Sequence, residues 1–383
     1  MNSWPLIPLR DLLQSADNPV RVRQDARYPN FGIYSFGRGL FAKPGIEGLR
    51  TSAKTLYQVR AGDFIYSRLF AFEGSYGMVD DSFDGYFVSN EYPTFSIDRS
   101  RLEAGFLKAY FQLPSVWRAI ATGSKGVGSR RIRVQPDKVL THSIPLPSLG
   151  EQRTIVARRD GLITRTRQVV EHLDAVGHDA ERVLALQFRK AIAGASMQRM
   201  TEVAPLVRRK VNIDEAGRYT ELGVRSFYKG TFHRRTILGA QFSWQDIFTI
   251  RTGDLIFSNI MAWEQAIAIA RPEDQCCVGN HRMLSCEVDT DKAMPQFLMY
   301  YFTTAEGFGK IYAASLGTAA RNRTLTALAL LSIDVPVPPL PIQLSFCRLQ
   351  TAVATLRATH REMRDTIEVL APAGLERTFS QTN

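Results

Sequence analysis

The stretch Arg60-Ala61-Gly62-Asp63-Phe64-Ile65-Tyr66-Ser67 is written a second time as Arg251-Thr252-Gly253-Asp254-Leu255-Ile256-Phe257-Ser258. The offset that carries Gly62 onto Gly253, 191 residues, aligns far more than this block. It lays Gly32, Ser35, Phe36, Arg38, Gly39 and Phe41 over Gly223, Ser226, Phe227, Lys229, Gly230 and Phe232, and Glu73 over Glu264. Phe106-Leu107 falls on Phe297-Leu298 and Tyr110-Phe111 on Tyr301-Phe302. Ile144-Pro145-Leu146-Pro147 meets Val335-Pro336-Val337-Pro338, and Gln152 meets Gln343. One such match is cheap, but several in one frame mean an internal duplication. With 383 residues, the chain has room for two cores.

Each copy reads in the same order. Short strands punctuated by turn signals come first, then a helical stretch near Leu102 to Arg118 and Ala293 to Lys310. A Gly-, Ser- and Arg-rich loop and a proline cluster follow. This is a mixed α/β globule of roughly 145 residues, an ordinary domain size. The repeated Arg-x-Gly-Asp has the chemistry of a β-turn, with Gly at positive φ and Asp capping it.

After each proline cluster the periodicity turns helical. Ile155, Leu162, Val169, Val176 and Val183 recur every seven residues. Phe346, Leu349, Val353, Leu356, His360, Met363, Ile367 and Leu370 alternate steps of three and four, the seam of a coiled coil. The offset superposes Ile155 on Phe346, Leu162 on Val353, Val169 on His360 and Val176 on Ile367, so the two arms are expected to pack together along one column. In the other column Leu349, Leu356 and Met363 align with Arg158, Arg165 and His172, which leaves the first helix either a neighbouring stripe through Leu173 and Ala180 or charges turned toward another subunit. His360 is expected as a packing residue of the seam.

A net charge of +11 and a pI near 9.6 favour an acidic partner, nucleic acid first. No run of residues approaches the roughly 18 to 20 consecutive apolar positions of a membrane span, and Met1 to Arg10 lacks a signal-peptide core, so a cytoplasmic protein is expected. The four cysteines all lie in the second half, two of them adjacent, which suits reduced thiols.

Catalytic signatures are missing. Gly37-Arg38-Gly39 and Gly126-Val127-Gly128 lack the third glycine and the setting of a dinucleotide or methyl-donor loop, and there is no phosphate loop and no Asn-Pro-Pro-aromatic tetrad. Cys276, Cys277, His281 and Cys286 are the one cluster of soft ligands, yet adjacent cysteines rarely share an ion and the matching stretch Gly85 to Phe95 has none. Asp80, Asp81 and Asp84 align with Arg271, Pro272 and Gln275, which points to a solvated loop and not a metal site. No catalytic residue, metal or cofactor is therefore expected.

The glycine- and arginine-rich loops, Gly123 to Arg133 and Gly317 to Arg323, suit close backbone approach and bidentate phosphate contact; the alternative is a solvated basic connector. Lys125, Arg130, Arg131, Arg133, Arg321 and Arg323 are the expected phosphate ligands. Arg38, Arg68, Arg225, Lys229, Asn259 and His281 are the expected base readers, on turn position and side-chain chemistry.

The tract Ile144-Pro145-Leu146-Pro147-Ser148-Leu149-Gly150-Glu151-Gln152-Arg153-Thr154-Ile155-Val156 resembles the proline-rich boundary and Glu-Gln helix start of the specificity subunits of type I restriction-modification systems. The two Arg-x-Gly-Asp-x-Ile segments resemble the same family's strand-turn segment, and the resemblance spans nearly the whole chain. Pro341-Ile342-Gln343 departs from the pattern and predicts a shifted start for the second helix. The resemblance implies a mixed α+β protein with two target-recognition domains in pseudo-twofold repeat, separated by two long antiparallel coiled-coil helices. Residues 1–143 and 197–334 would be the recognition domains, and 144–196 and 335–383 the boundaries and spacer arms. Ile155, Leu162, Val169, Val176, Phe346, Val353, Leu356 and Ile367 would pack the spacer. The implied partners are double-stranded DNA, read as a bipartite target, and two methyltransferase subunits, with or without restriction subunits. A coiled-coil scaffold that never touches DNA and a self-contained DNA-modifying enzyme are the competing readings.

Overall fold

A computed structural model describes residues 4–122, 133–242, 246–317 and 323–380, with 368–378 and 380 described by backbone alone. The chain divides into two compact units. One comprises residues 1–173 with 361–383, the other the contiguous stretch 174–360. The division falls inside both long helices, Leu149–Ile192 and Leu340–Ser380, so each unit owns the first half of one helix and the second half of the other in addition to its globule.

In the first unit a five-stranded sheet runs in the order Pro19–Arg21, Thr55–Gln58, Phe87–Val88, Arg27–Ile33, Leu40–Glu47. A four-stranded sheet, Leu13–Ser15, Thr94–Ile97, Phe64–Tyr66, Tyr76–Met78, carries the core on which the helices Ala104–Tyr110 and Pro114–Ala121 pack. Leu6–Pro8 pairs antiparallel with Ser143–Pro145 and brings the start of the globule against its proline exit. The second unit repeats this plan. Its hairpin Arg218–Val224 with Thr231–Leu238 pairs Gly223 with Phe232, as Gly32 pairs with Phe41, and the parallel contact Asn30 with Phe87 recurs as Glu221 with Val278. Ser196–Arg199 pairs with Asp334–Val337 at the exit.

The duplicated turn is made as its chemistry requires. Gly62 and Gly253 both sit at φ +88°, a backbone region open to glycine at little cost. Asp63 Oδ2 accepts the Arg60 N–H and Asp254 Oδ2 the Arg251 N–H, each at 3.0 Å. The carboxylates are buried, and burial raises the Asp63 pKa above its ordinary value.

Both long helices begin in one register, at Leu149 and at Leu340, so the expected shift of the second start does not occur. The reason is Gln343. It and Gln152 are fully buried and hold the helix start to the globule by the same three bonds. Gln152 Oε1 accepts the Glu103 N–H at 2.8 Å, and its Nε2 donates to Arg101 and Pro147 carbonyls at 2.9 Å. Gln343 Oε1 accepts the Met294 N–H at 2.9 Å and Nε2 donates to Lys292 and Pro338 carbonyls at 3.0 and 2.7 Å. The first helix adds a capping box, Ser148 with Glu151.

Within the second unit the helix halves run antiparallel: Phe188 meets Phe346 at 5.1 Å between ring centroids, and Glu181 pairs with Arg357 further along. Leu184, Phe188, Phe346 and Val353 are buried together, with Ala180 and Leu349 against them. The first helix uses only the ends of the seam column expected of it. Leu162 and Val169 are 46% and 45% exposed, whereas Leu173 is buried; Ile155 and Val176 are half-buried. The column that would complete a seam through Leu162 and Val169 holds Arg158, Arg165 and His172, all exposed, so the helix turns the neighbouring stripe inward. Leu356, His360 and Ile367 are half-buried on the second helix.

Candidate nucleic-acid interface

Three loop elements recur on each globule. The first is the tip of the central hairpin, residues 34–39 and 225–230. Tyr34 N–H donates to the Gly39 carbonyl and Arg225 N–H to that of Gly230, both at 2.9 Å. Phe36 and Gly37 then donate to the carbonyls of Glu73 and Gly74 at 2.7 and 2.9 Å, and Phe227 and Tyr228 to those of Glu264 and Gln265 at 3.0 Å. Ser35 and Ser226 hydroxyls each donate to the carboxylate of Glu73 or Glu264 at 3.2 Å. Arg38 is exposed, with Nε bonded to its own tip at the Ser35 carbonyl and the guanidinium 5.0 Å from the Tyr34 ring. Arg225 donates to the Thr231 carbonyl and lies 4.7 Å over Phe232; Lys229 sits 5.7 Å from Phe227.

The second element follows the strand Phe64–Tyr66 or Leu255–Ser258 and carries Arg68 and Asn259 at matched positions. Their backbones are held alike. Arg68 N–H donates to Glu91 O and its carbonyl accepts the Val134 N–H; Asn259 N–H donates to Arg282 O and its carbonyl accepts the Leu325 N–H. The side chains differ. Arg68 donates from its guanidinium end to Gln135 Oε1 at 2.6 Å, and each side chain also holds one buried polar atom, Arg68 Nε and Asn259 Oδ1, with no hydrogen-bond partner among the described residues. Each position adjoins a cleft. That of the first copy, about 220 Å³, is lined by Asp17, Tyr57, Arg68, Asn90 and Tyr92; that of the second, about 310 Å³, by Glu221, Phe232, Arg234, Asn280, Arg282 and Met283 among others. His281 is exposed beside the second, its carbonyl bonded to Arg208 at 3.2 Å.

The third element is the basic loop. Lys125, Arg130, Arg131 and Arg321 lie outside the described residues. Arg133, at the root of the first loop, pairs with Glu91 at 3.2 Å. Arg323, at the root of the second, donates to the Tyr312 and Ser315 carbonyls and lies 4.0 Å over the Tyr312 ring. Each root is thus tied to its globule by an arginine, which leaves fewer of the expected phosphate ligands free.

The rejected metal sites have clear structural roles. Asp80 caps a short turn at the Ser82 N–H and Asp84 accepts the Ala61 N–H at 2.9 Å. Cys277 and Cys286 are buried in separate apolar clusters, and burial pushes the Cys286 thiol up to about 12. Among the described residues no three His, Cys, Asp or Glu converge. No described helix is long and apolar enough to cross a membrane.

Sequence reading missed one charged site. Asp274 is fully buried and accepts from the Thr231 hydroxyl at 2.6 Å, the Arg271 guanidinium at 3.2 Å and His233 Nε2 at 3.1 Å. Burial pushes its pKa up, but the Thr231 and Arg271 bonds outweigh this and hold the carboxyl below its usual range. Its counterpart in the first copy is Phe83, so the frame marked the position and gave no sign of a carboxylate.

Two α/β globules of one plan, each joined to half of each long helix and each bearing loop-borne cations and a cleft, make an architecture already seen in solved proteins. The fold is that of the HsdS subunits of type I restriction-modification systems. The crystal structure of the HsdS subunit from Thermoanaerobacter tengcongensis matches over 100% of this chain and 97% of its own, at 18% identity and a TM-score of 0.67. A chain from a study of complex assembly and conformational transition in a type I R-M system matches over 99% and 98%, at 19% identity and the same TM-score. No protein-family profile matches the sequence, and no curated protein is similar to it at the sequence level.

Proposed function

We propose that the chain is a specificity subunit of a type I restriction-modification complex, a non-catalytic DNA reader for partner methyltransferases. The observation that carries this reading is the contrast at positions 68 and 259, where one backbone frame presents different side chains. Two readers of equal shape and unequal chemistry suit a target in two dissimilar halves. Arginine suits a guanine edge and asparagine an adenine edge. Lys125, Arg130, Arg131 and Arg321 supply phosphate contacts that weaken with salt. The paired helices act as the spacer between half-sites, and Leu162 and Val169, exposed on the first helix, suit a partner's apolar helix face. Transfer of the methyl group, and any cleavage, belongs to the partners.

The test is co-expression with a candidate partner methyltransferase and mapping of methylated bases across a genome. A split motif with a fixed gap is expected. Exchange of residues 1–143 for those of a relative should change one half of the motif and leave the other. A continuous motif, or a change in both halves, would refute the reading.

A further inference from the structure

The hairpin tips behave in the opposite way to positions 68 and 259: the phenylalanine, its backbone conformation and the bonds that fix it are the same in both copies. Phe36 and Phe227 occupy φ +63° and +60°, a left-handed backbone that bulky side chains rarely adopt. Glycine would take that conformation without strain. Both rings are nevertheless mostly exposed, 63% and 61%, so burial in the globule accounts for little of the strain. Strain kept twice at an exposed position, and fixed each time by the same Ser-Glu bond and backbone pair, marks a contact surface.

We propose that Phe36 and Phe227 are sequence-independent apolar knobs, each laying its ring against the deoxyribose backbone of duplex DNA at its own half-site. This rests on the DNA-reading function proposed above and adds a division of labour to it. A feature that both copies share must meet something that both half-sites share. A cation accompanies each ring, Arg38 at 6.0 Å and Lys229 at 5.7 Å, which suits a polyanion. The Phe36 ring also lies 6.3 Å from Trp117, on the helix Pro114–Ala121 that leads directly toward the basic loop. In the second copy Tyr228 is bonded to the Phe302 carbonyl at 2.6 Å, at the helix preceding the one that enters the loop there. Arg38 and Lys229 accordingly belong to the shared contact and not to base reading.

The test uses the chain in complex with its methyltransferase, with Phe36→Gly, Phe227→Gly, the double substitution and Phe36→Tyr. Affinity for a target duplex and a scrambled duplex is measured beside thermal unfolding. The glycine variants should unfold at the same or a higher temperature, since glycine relieves the strained backbone. They should yet bind both duplexes about ten- to a hundredfold more weakly per knob, the scale of burying one Phe side chain, at an unchanged target-to-scrambled ratio. Phe36→Tyr should retain binding. Unchanged affinity would overturn the proposal, as would a collapse of the ratio, which would make the rings base readers. Loss of the methyltransferase from the complex, with DNA affinity per complex intact, would make the tips a protein dock instead. If the unsubstituted complex binds neither duplex, the DNA-reading function itself has failed, and that result is visible before any variant is made.

Discussion

Position 83 in the first copy and 274 in the second are one place in the frame, filled by opposite chemistry. Phe83 packs at 5.1 Å from Phe31 and edge-on at 5.3 Å from Tyr86 in an apolar cluster with Val59, Ile65 and Val79. Asp274 fills the same place as a buried carboxylate, with Thr231, His233 and Arg271 supplying its donors where the first copy has Leu40, Ala42 and Asp80. Duplication preserved the backbone and let the interior diverge as sets of partners. An apolar filling needs only shape, whereas a buried charge needs every donor at once.

That contrast can be broken most severely at Phe83. Phe83→Ala should cost about 3–5 kcal/mol, read by chemical denaturation, through lost burial and the cavity left behind. Arg271→Ala should cost about 3 kcal/mol, because Asp274 is then buried without its main counter-ion. The two should differ in pH response. The Asp274 carboxyl has a lowered folded pKa, so its stabilisation is present above the unfolded value and is lost as pH falls through the folded one. The raised Asp63 has the reverse sign: its contribution is present at low pH and is lost as pH rises through the folded value. Hydrogen exchange followed downward through the carboxylate range should therefore show the second unit losing protection before the first. Simultaneous loss would refute the assignment, and Asp274→Asn should remove the difference.

A smaller effect tests what the copies share. Gln152→Ala and Gln343→Ala should each cost about 2 kcal/mol by leaving a buried backbone N–H unpaired, Glu103 or Met294, and the two costs should match. Unequal costs would mean that the helix starts are not equivalent anchors. The smallest effect sharpens a difference at the same place. Glu151→Ala should cost about 1 kcal/mol through the lost capping box, measured by the same denaturation, whereas Ile342→Ala at the matching position removes no cap and should change stability without that component.

The repeat was legible because Gly62, Asp63 and Gln152 and their counterparts each satisfy a backbone demand that tolerates few substitutes. Spacing of seven put Leu162 and Val169 on one face of a helix but could not say which face turned inward; the charges at Arg158, Arg165 and His172 decided that, and the structure shows their stripe in solvent. The departure at Pro341-Ile342 misled because a cap was counted and the buried glutamine was not. Phe36 and Phe227 were visible as a match, yet their left-handed backbone is a property of the tip's hydrogen bonds and no single residue announces it. The basic loops were legible in composition, and the arginines at their roots proved to be partly committed to Glu91 and Tyr312.

The second long helix ends on the first globule: Phe379 lies 5.2 Å from Phe106 and 5.4 Å from Tyr110, just as Phe188 lies 5.0 Å from Phe297 in the other unit. The offset carries Phe188 onto Phe379, so the same aromatic plug closes both globules, one from the middle of the chain and one from its far end. On the ribosome this sets an order of completion. The contiguous unit, residues 174–360, holds all its own parts as soon as residue 360 has emerged, while the unit begun first waits with its aromatic socket open until Phe379 arrives. A chain cut short anywhere between residues 360 and 379 would therefore leave the later unit whole and strip the earlier one of its plug.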